Sequence, residues 1–112
     1  MNIKKVSAEP IIETPHGIDV RKLYDKETAI VNHLTLKPGE SLKRHITPVD
    51  VFFYVLEGTG IVEVGDEKKE VTVDTLIDSP KNIVHCWYNE SNKDLRVLVV
   101  KAPRPTNSTR VL

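Results

Sequence analysis

The 112-residue sequence is poor in the features that hold many small secreted or zinc-bound domains together. It contains one cysteine, Cys86, so it can form neither an internal disulfide nor a cage of several thiolates. No apolar run approaches the ~20 residues that a membrane span needs, and no signal-peptide core follows Met1. We therefore expect a cytoplasmic protein that has no membrane partner and owes its stability to packing.

The sequence also lacks an excess of charge of either sign. Its 16 basic residues balance 16 acidic residues, which gives a formal charge of zero. Domains that bind nucleic acid usually carry a marked basic excess, so we expect no nucleic-acid partner. The length predicts a single domain over residues 1–112, because a second core would have too little apolar surface.

What the sequence does have is turn-forming residues at short intervals. Seven prolines and five glycines divide runs of β-branched and aromatic residues, which predicts an all-β fold of about eight to ten short strands. The nearly continuous apolar run 49–56 predicts a strand at the centre of the core. A weak edge strand is expected around Ile11 and Ile12, where proline is tolerated. The polar tail from about residue 102 is expected to be extended or mobile unless a partner subunit holds it.

The four histidines are the main candidates for site chemistry. His45 and His85 lie on separate predicted strands, each shortly after a turn, and imidazoles that converge from different strands can bind Zn, Ni or Fe. His33 lies on a strand with apolar residues on both faces, so either face can be interior. His16 stands between a proline and a glycine and is expected to be a solvated turn residue.

The spacing around His45 and His85 resembles the two motifs of the cupin superfamily. The first motif has a glycine, a His-x-His pair, a glutamate and a second glycine, and the second has an opening glycine, Pro-x-Gly, a histidine and an asparagine. The resemblance covers residues 36–100, and it implies an antiparallel double-stranded β-helix, that is, a jelly-roll barrel. The residues that fit the two motifs are Gly39, His45, Gly58, Pro80, His85 and Asn89.

The first motif is degenerate in this sequence. Thr47 stands where the family has its second histidine, and Val51 stands where it has the glutamate. In the second motif, Asn82 replaces the glycine of Pro-x-Gly, and asparagine tolerates a positive φ better than most residues. Asp74 stands at the opening glycine of the same motif.

The resemblance implies a four-ligand metal site of which two ligands remain. A divalent ion (Zn, Ni, Fe or Mn) would then be held by His45 and His85 together with solvent. His33 and Asp50 are the candidates for a third ligand. Asp50 is the weaker candidate, because strand alternation points it away from the face of Val51.

Strand alternation also predicts which residues share a pocket with the two histidines. Thr47 falls on the face of His45, Trp87 on the face of His85, and Val51 on the face of Phe53. These four residues are expected to line a pocket for an apolar or planar small molecule. Cys86 should face the opposite side of its strand, which argues against a catalytic Cys–His pair.

Three functions remain open at this point, and the sequence does not decide whether the protein is an enzyme. The first is a small-molecule pocket with an incomplete metal site, and the second is a metal-free ligand-binding or sensory module. The third is a structural dimer without catalytic activity. A homodimer is expected in each case, because Phe52, Tyr54 and Leu56 form an apolar face opposite the pocket.

Overall fold

The computed structural model describes residues 1–112 and consists almost entirely of β-strands. One 3-10 turn, Val6–Ala8, is the only helical element, and no helix could cross a membrane. The prediction of an all-β antiparallel fold is confirmed. The ten strands are β1 Asp19–Lys26, β2 Ala29–Leu36, β3 His45–Ile46, β4 Val51–Glu57, β5 Gly60–Val64, β6 Glu67–Val71, β7 Leu76–Ser79, β8 His85–Tyr88, β9 Leu95–Lys101 and β10 Arg110–Val111.

The strands form two antiparallel five-stranded sheets. The strand order is β1-β2-β9-β4-β7 in the first sheet and β10-β3-β8-β5-β6 in the second. Because strands that are distant in sequence lie next to each other, for example β2, β9 and β4, the chain crosses repeatedly between the two sheets. This is the double-stranded β-helix that the resemblance implied.

The core lies between the two sheets and follows the alternation of strand residues. On β9, the buried residues Leu95, Val97 and Val99 alternate with partly exposed ones. Phe53 on the first sheet and Trp87 on the second are both fully buried, and their ring centroids lie 5.5 Å apart in an edge-to-face arrangement. The two sheets are therefore joined by aromatic packing as well as by aliphatic side chains.

The turns of the motifs keep their geometry although glycine is replaced. Asn82 and Asp74 adopt left-handed backbone angles, with φ of 63° and 61°. Asparagine and aspartate are the non-glycine residues that best tolerate this conformation. Gly58 also has a positive φ, and a Cβ there would collide with the backbone carbonyl of Asp94. The glycine is therefore required at position 58, whereas the substitutions at 74 and 82 are tolerated.

The two ends of the chain differ from the sequence-based expectation. The predicted edge strand around Ile11 is wrong: this segment forms no strand, and a single bond from the Ile12 amide to the Val20 carbonyl, 2.9 Å long, ties it to β1. The tail was expected to be extended or mobile unless a partner subunit holds it, and the end of it is extended but is held by the same chain. Residues 110–111 form β10, which pairs with β3 of the same chain and extends the second sheet.

Candidate functional site

One cavity brings several polar side chains from different strands and loops into a common space. It has a volume of about 490 Å³ and lies between the inner face of the first sheet and β3, with the chain ends closing it. A wider groove of about 730 Å³ between β6 and β7 contains no histidine. We call the first one the barrel cavity. Its lining includes His16, Asn32, Leu34, His45, Phe53, Val99, Lys101 and Thr109.

His45 and His85 lie side by side, because their strands are paired at these two residues. Their ring centroids are 4.4 Å apart, and the Phe53 ring lies 5.2 Å from that of His85. Both histidines are buried, with exposed fractions of 7% and 2%. The inner faces of β3, β8 and β4 thus form one compact group of rings.

His16 adds a third ring to this group, contrary to the expectation of a solvated turn residue. Its ring centroid lies 4.6 Å from that of His45, and its Nδ1 accepts a hydrogen bond of 2.9 Å from the Lys43 amide. We call His16, His45 and His85 the histidine row. No local pattern marks His16 in the sequence, since it reaches the cavity only because its loop packs against β3.

The hydrogen bonds of the row assign different roles to its members. The Lys43 carbonyl can only accept, so His45 Nδ1 donates to it over 2.7 Å, and the neutral ring keeps an unprotonated Nε2. His16 accepts at Nδ1, so its Nε2 carries the proton when the ring is neutral. His85 Nδ1 contacts the buried Ser79 hydroxyl at 2.7 Å. The row therefore offers one acceptor nitrogen and one N–H donor whose roles the backbone fixes.

Burial keeps all three imidazoles neutral at neutral pH. Burial, helped by the neighbouring His45, lowers the pKa of His85 to about 3 and that of His16 to about 4. Burial also lowers the pKa of His45 from its usual value. A neutral imidazole can accept a proton or a hydrogen bond from a ligand, which an imidazolium cannot.

The four predicted pocket residues are all buried, but only one of them lines the barrel cavity. Phe53 forms part of the lining, whereas Val51 and Trp87 pack in the core and do not line it. Thr47 is also buried outside the lining, and its hydroxyl lies 3.4 Å from His85 Nε2 and 3.5 Å from the Thr109 hydroxyl.

Neither candidate for a third metal ligand lies near the histidine row. His33 is buried on the outer face of the first sheet, where its Nε2 accepts a hydrogen bond from Arg96. Asp50 is exposed, and its side chain accepts a bond from the Lys81 amide. Of the two faces that the sequence left open for His33, the outer one is observed, and Asp50 points away from the cavity, as strand alternation predicts. Cys86 faces outward as expected and contacts Glu63 and Tyr88.

Lys101 is one of the site residues that the sequence reasoning missed. It ends β9 on the same face as Val97 and Val99, and its side chain lines the barrel cavity. Continuing the alternation of β9 by one residue would have found it. Its Nζ lies 3.5 Å from the hydroxyl of Thr109, so the C-terminal tail provides its polar neighbour.

The donor set does not fit a tightly bound metal ion. No group of three or more histidine, cysteine, aspartate or glutamate side chains is placed to share one ion. Catalytic zinc sites have three protein ligands, and here the positions of the two absent family ligands carry the hydroxyl of Thr47 and the isopropyl group of Val51. His45 and His85 alone would hold an ion weakly.

We expect the fold to lose stability as the pH falls from 6.5 to 5. Unfolded histidines take up protons near pH 6.5, whereas His85 stays neutral in the folded protein until about pH 3. The free energy of unfolding should fall by about 2 kcal/mol at pH 5 through His85 alone. Urea unfolding at pH 7, 6 and 5 measures this, because carboxylates titrate mostly below that window. The His85→Gln variant should show a flatter dependence, and an equal slope in both proteins would contradict the assignment.

Comparisons with known proteins agree with this architecture. Over 82 residues the chain is 30% identical to the tetracenomycin polyketide synthase protein TcmJ of Streptomyces glaucescens. The match covers 70% of this chain and 55% of that protein, so the chain spans about half the length of this relative.

Solved structures share the fold along nearly the whole chain. The crystal structure of TT1209 from Thermus thermophilus has a TM-score of 0.80 and 29% identity, and the match covers 94% of this chain and all (100%) of that one. The polyketide cyclase RemF from Streptomyces resistomycificus has a TM-score of 0.85 at 21% identity, with 100% of this chain and 85% of that one covered.

A family model settles the relationship. The model described as the Cupin domain matches residues 32–101, which contain both motifs, part of β2 and the seven complete strands from β3 to β9. The motif spacing, the two crossed sheets and this match all agree, and the chain belongs to the cupin superfamily.

Proposed function

We propose that this cupin binds a small, largely apolar molecule in its barrel cavity and does so without a tightly bound metal ion. The observation that carries the proposal is the cavity itself: about 490 Å³ lined by aliphatic and aromatic side chains, with the polar groups of His16, His45, Asn32 and Lys101 facing one space. Ligand sites of proteins typically have this size and this mixture of apolar walls and a few polar groups.

The relative from Streptomyces glaucescens supports a class of ligand. It is a polyketide synthase protein, and polyketides are carbon frameworks that carry carbonyl and hydroxyl oxygens. Apolar walls suit the framework, and the neutral imidazoles of His45 and His16 can bond such oxygens as acceptor and donor. We propose a polyketide-like or other planar oxygenated compound as the ligand.

A planar aromatic probe tests the cavity directly. We expect 2-naphthol to shift the amide NMR signals of cavity residues such as Leu34 and Val99. The Val99→Phe variant fills part of the cavity and should weaken binding at least about tenfold, which is ~1.4 kcal/mol. Leu98→Phe is the matched control, because Leu98 precedes Val99 on β9 and faces outward. Equal affinity in both variants would place the probe elsewhere.

A weak metal site is the second candidate, and one feature of the site favours it. The His45 Nδ1–H is held by the Lys43 carbonyl, and a backbone acceptor of this kind orients metal-ligating histidines in many sites. With His85 beside it, His45 could hold a divalent ion together with solvent.

Rebuilding the family ligands should convert this weak site into a tight one. The Thr47 hydroxyl lies 3.4 Å from His85 Nε2, so a histidine there adds an imidazole at the site. Thr47→His combined with Val51→Glu should tighten Zn²⁺ binding by about 100-fold or more, which is ~2.7 kcal/mol, in isothermal titration calorimetry. His85→Ala in the rebuilt protein is the control and should abolish the gain. Tight binding by the unmodified protein would show that another ligand completes the site.

We also propose a homodimer that forms through the outer face of the first sheet. Strand pairing places Tyr24, Val31, Val100 and Phe52 in one row across four strands, without a charged residue among them. Tyr24 is 44% exposed and Phe52 36% exposed. Since the formal charge of the chain is zero, two copies do not repel each other through net charge.

Sedimentation at micromolar concentration tests the dimer. The unmodified protein should sediment at twice the chain mass of 12.7 kDa, and Phe52→Lys should yield the single-chain species because it buries a charge in the row. Ile83→Lys is the control: Ile83 is 39% exposed and lies outside the first sheet. A single-chain species for the unmodified protein would refute the dimer.

A further inference from the structure

Lys101 gives the barrel cavity a positive charge that no residue of the chain neutralises. Its Nζ has one polar contact, the Thr109 hydroxyl at 3.5 Å, and it takes part in none of the five ion pairs of the molecule. Cations that are withdrawn from water are normally paired with an anion, because desolvation of a lone charge costs free energy. An anion bound beside the ammonium group would therefore offset the cost of its desolvation.

The rest of the cavity cannot provide that partner. None of its sixteen lining residues is an aspartate or a glutamate, and Lys101 is the one lysine or arginine among them. The lining histidines, His16 and His45, are neutral at neutral pH. The cavity consequently carries one net positive charge and presents no acidic group to a cationic ligand.

Asn32 is a second, independent polar group in the cavity that no residue of the chain satisfies. Its Oδ1 is buried and has no hydrogen-bond partner, and the residue lines the same cavity. A buried acceptor without a partner is rare in folded proteins and calls for an explanation. A hydroxyl or amine donor on a ligand would satisfy it.

Strand register fixes how the two groups are arranged. Asn32 lies opposite Val99, and Ile30 lies opposite Lys101, so Asn32 and Lys101 are diagonal neighbours on the inner face of the first sheet. Diagonal neighbours in an antiparallel pair are about 7–8 Å apart at the backbone. Phe53 lies opposite Val99 on the other side of β9 and supplies an aromatic wall beside them.

We propose that the ligand of the barrel cavity is an anion: a planar apolar molecule whose carboxylate or phenolate oxygen pairs with Lys101 and whose neighbouring hydroxyl donates to Asn32. This inference rests on the proposed function, because it names the class of molecule that the cavity selects. Charge-assisted hydrogen bonds are stronger than neutral ones, so Lys101 decides between acidic and neutral ligands of the same shape. Burial lowers the pKa of Lys101, because withdrawal from water disfavours a lone ammonium charge.

Two ligands of matched shape test the inference on the unmodified protein. The anion 3-hydroxy-2-naphthoate should bind at least about tenfold more tightly than its neutral amide, 3-hydroxy-2-naphthamide, in isothermal titration calorimetry at pH 7. NMR titration should place both in the cavity through the signals of Leu34 and Val99. Equal affinities would overturn the inference but leave the proposed function standing. Absence of binding by both compounds would overturn the proposed function as well.

Variants of Lys101 and Asn32 identify the groups that recognise the anion. Lys101→Met should remove the preference for the carboxylate, and Lys101→Arg should retain it. Asn32→Leu should weaken the binding of both compounds, because both carry the hydroxyl. Lys37→Met is the matched control, since Lys37 is an exposed lysine of the β2–β3 connection, and it should bind like the unmodified protein. A preference for the anion that persists in Lys101→Met, with thermal unfolding showing a folded protein, would overturn the role of Lys101.

Discussion

The pairing of β9 with β2 on one side and β4 on the other is the constraint on which the site depends. This register aligns Phe53, Val99 and Asn32 across the inner face of the first sheet, and it places Lys101 in the next row. The same alternation that buries Leu95 and Val97 therefore carries a lysine to the inner face at the end of the strand. A shift of one residue would turn the lysine outward and put apolar side chains into solvent.

Burial determines the electrostatic character of the cavity. The packing that excludes water from His45 and His85 lowers their pKa values, so the imidazoles act as neutral hydrogen-bonding groups. The lining has no carboxylate that would reverse this effect. In this cupin the cavity thus combines neutral rings with a single ammonium group, whereas the family pattern would have placed a glutamate at position 51.

The chain ends complete the cavity from outside the region that the two motifs cover. His16 comes from the segment before β1, and Thr109 comes from the tail that leads into β10. Thr109 lies near both Thr47 and Lys101, at 3.5 Å from each side-chain polar atom. The tail therefore encloses the lysine and links the two sheets at the same end of the barrel.

The sequence by itself determined the strand content, the positions of most strands and the tight turns, because alternation and turn residues are local properties. It also determined that His45 and His85 share a region, through the spacing of the two motifs. Only the tertiary structure decided which face of β2 is interior, and so turned His33 outward and Asn32 inward. His16, Lys101 and Thr109 reach the cavity through packing between segments far apart in the chain. Such contacts depend on the crossing of the strands and the closure of the chain ends, which no pattern within a strand encodes.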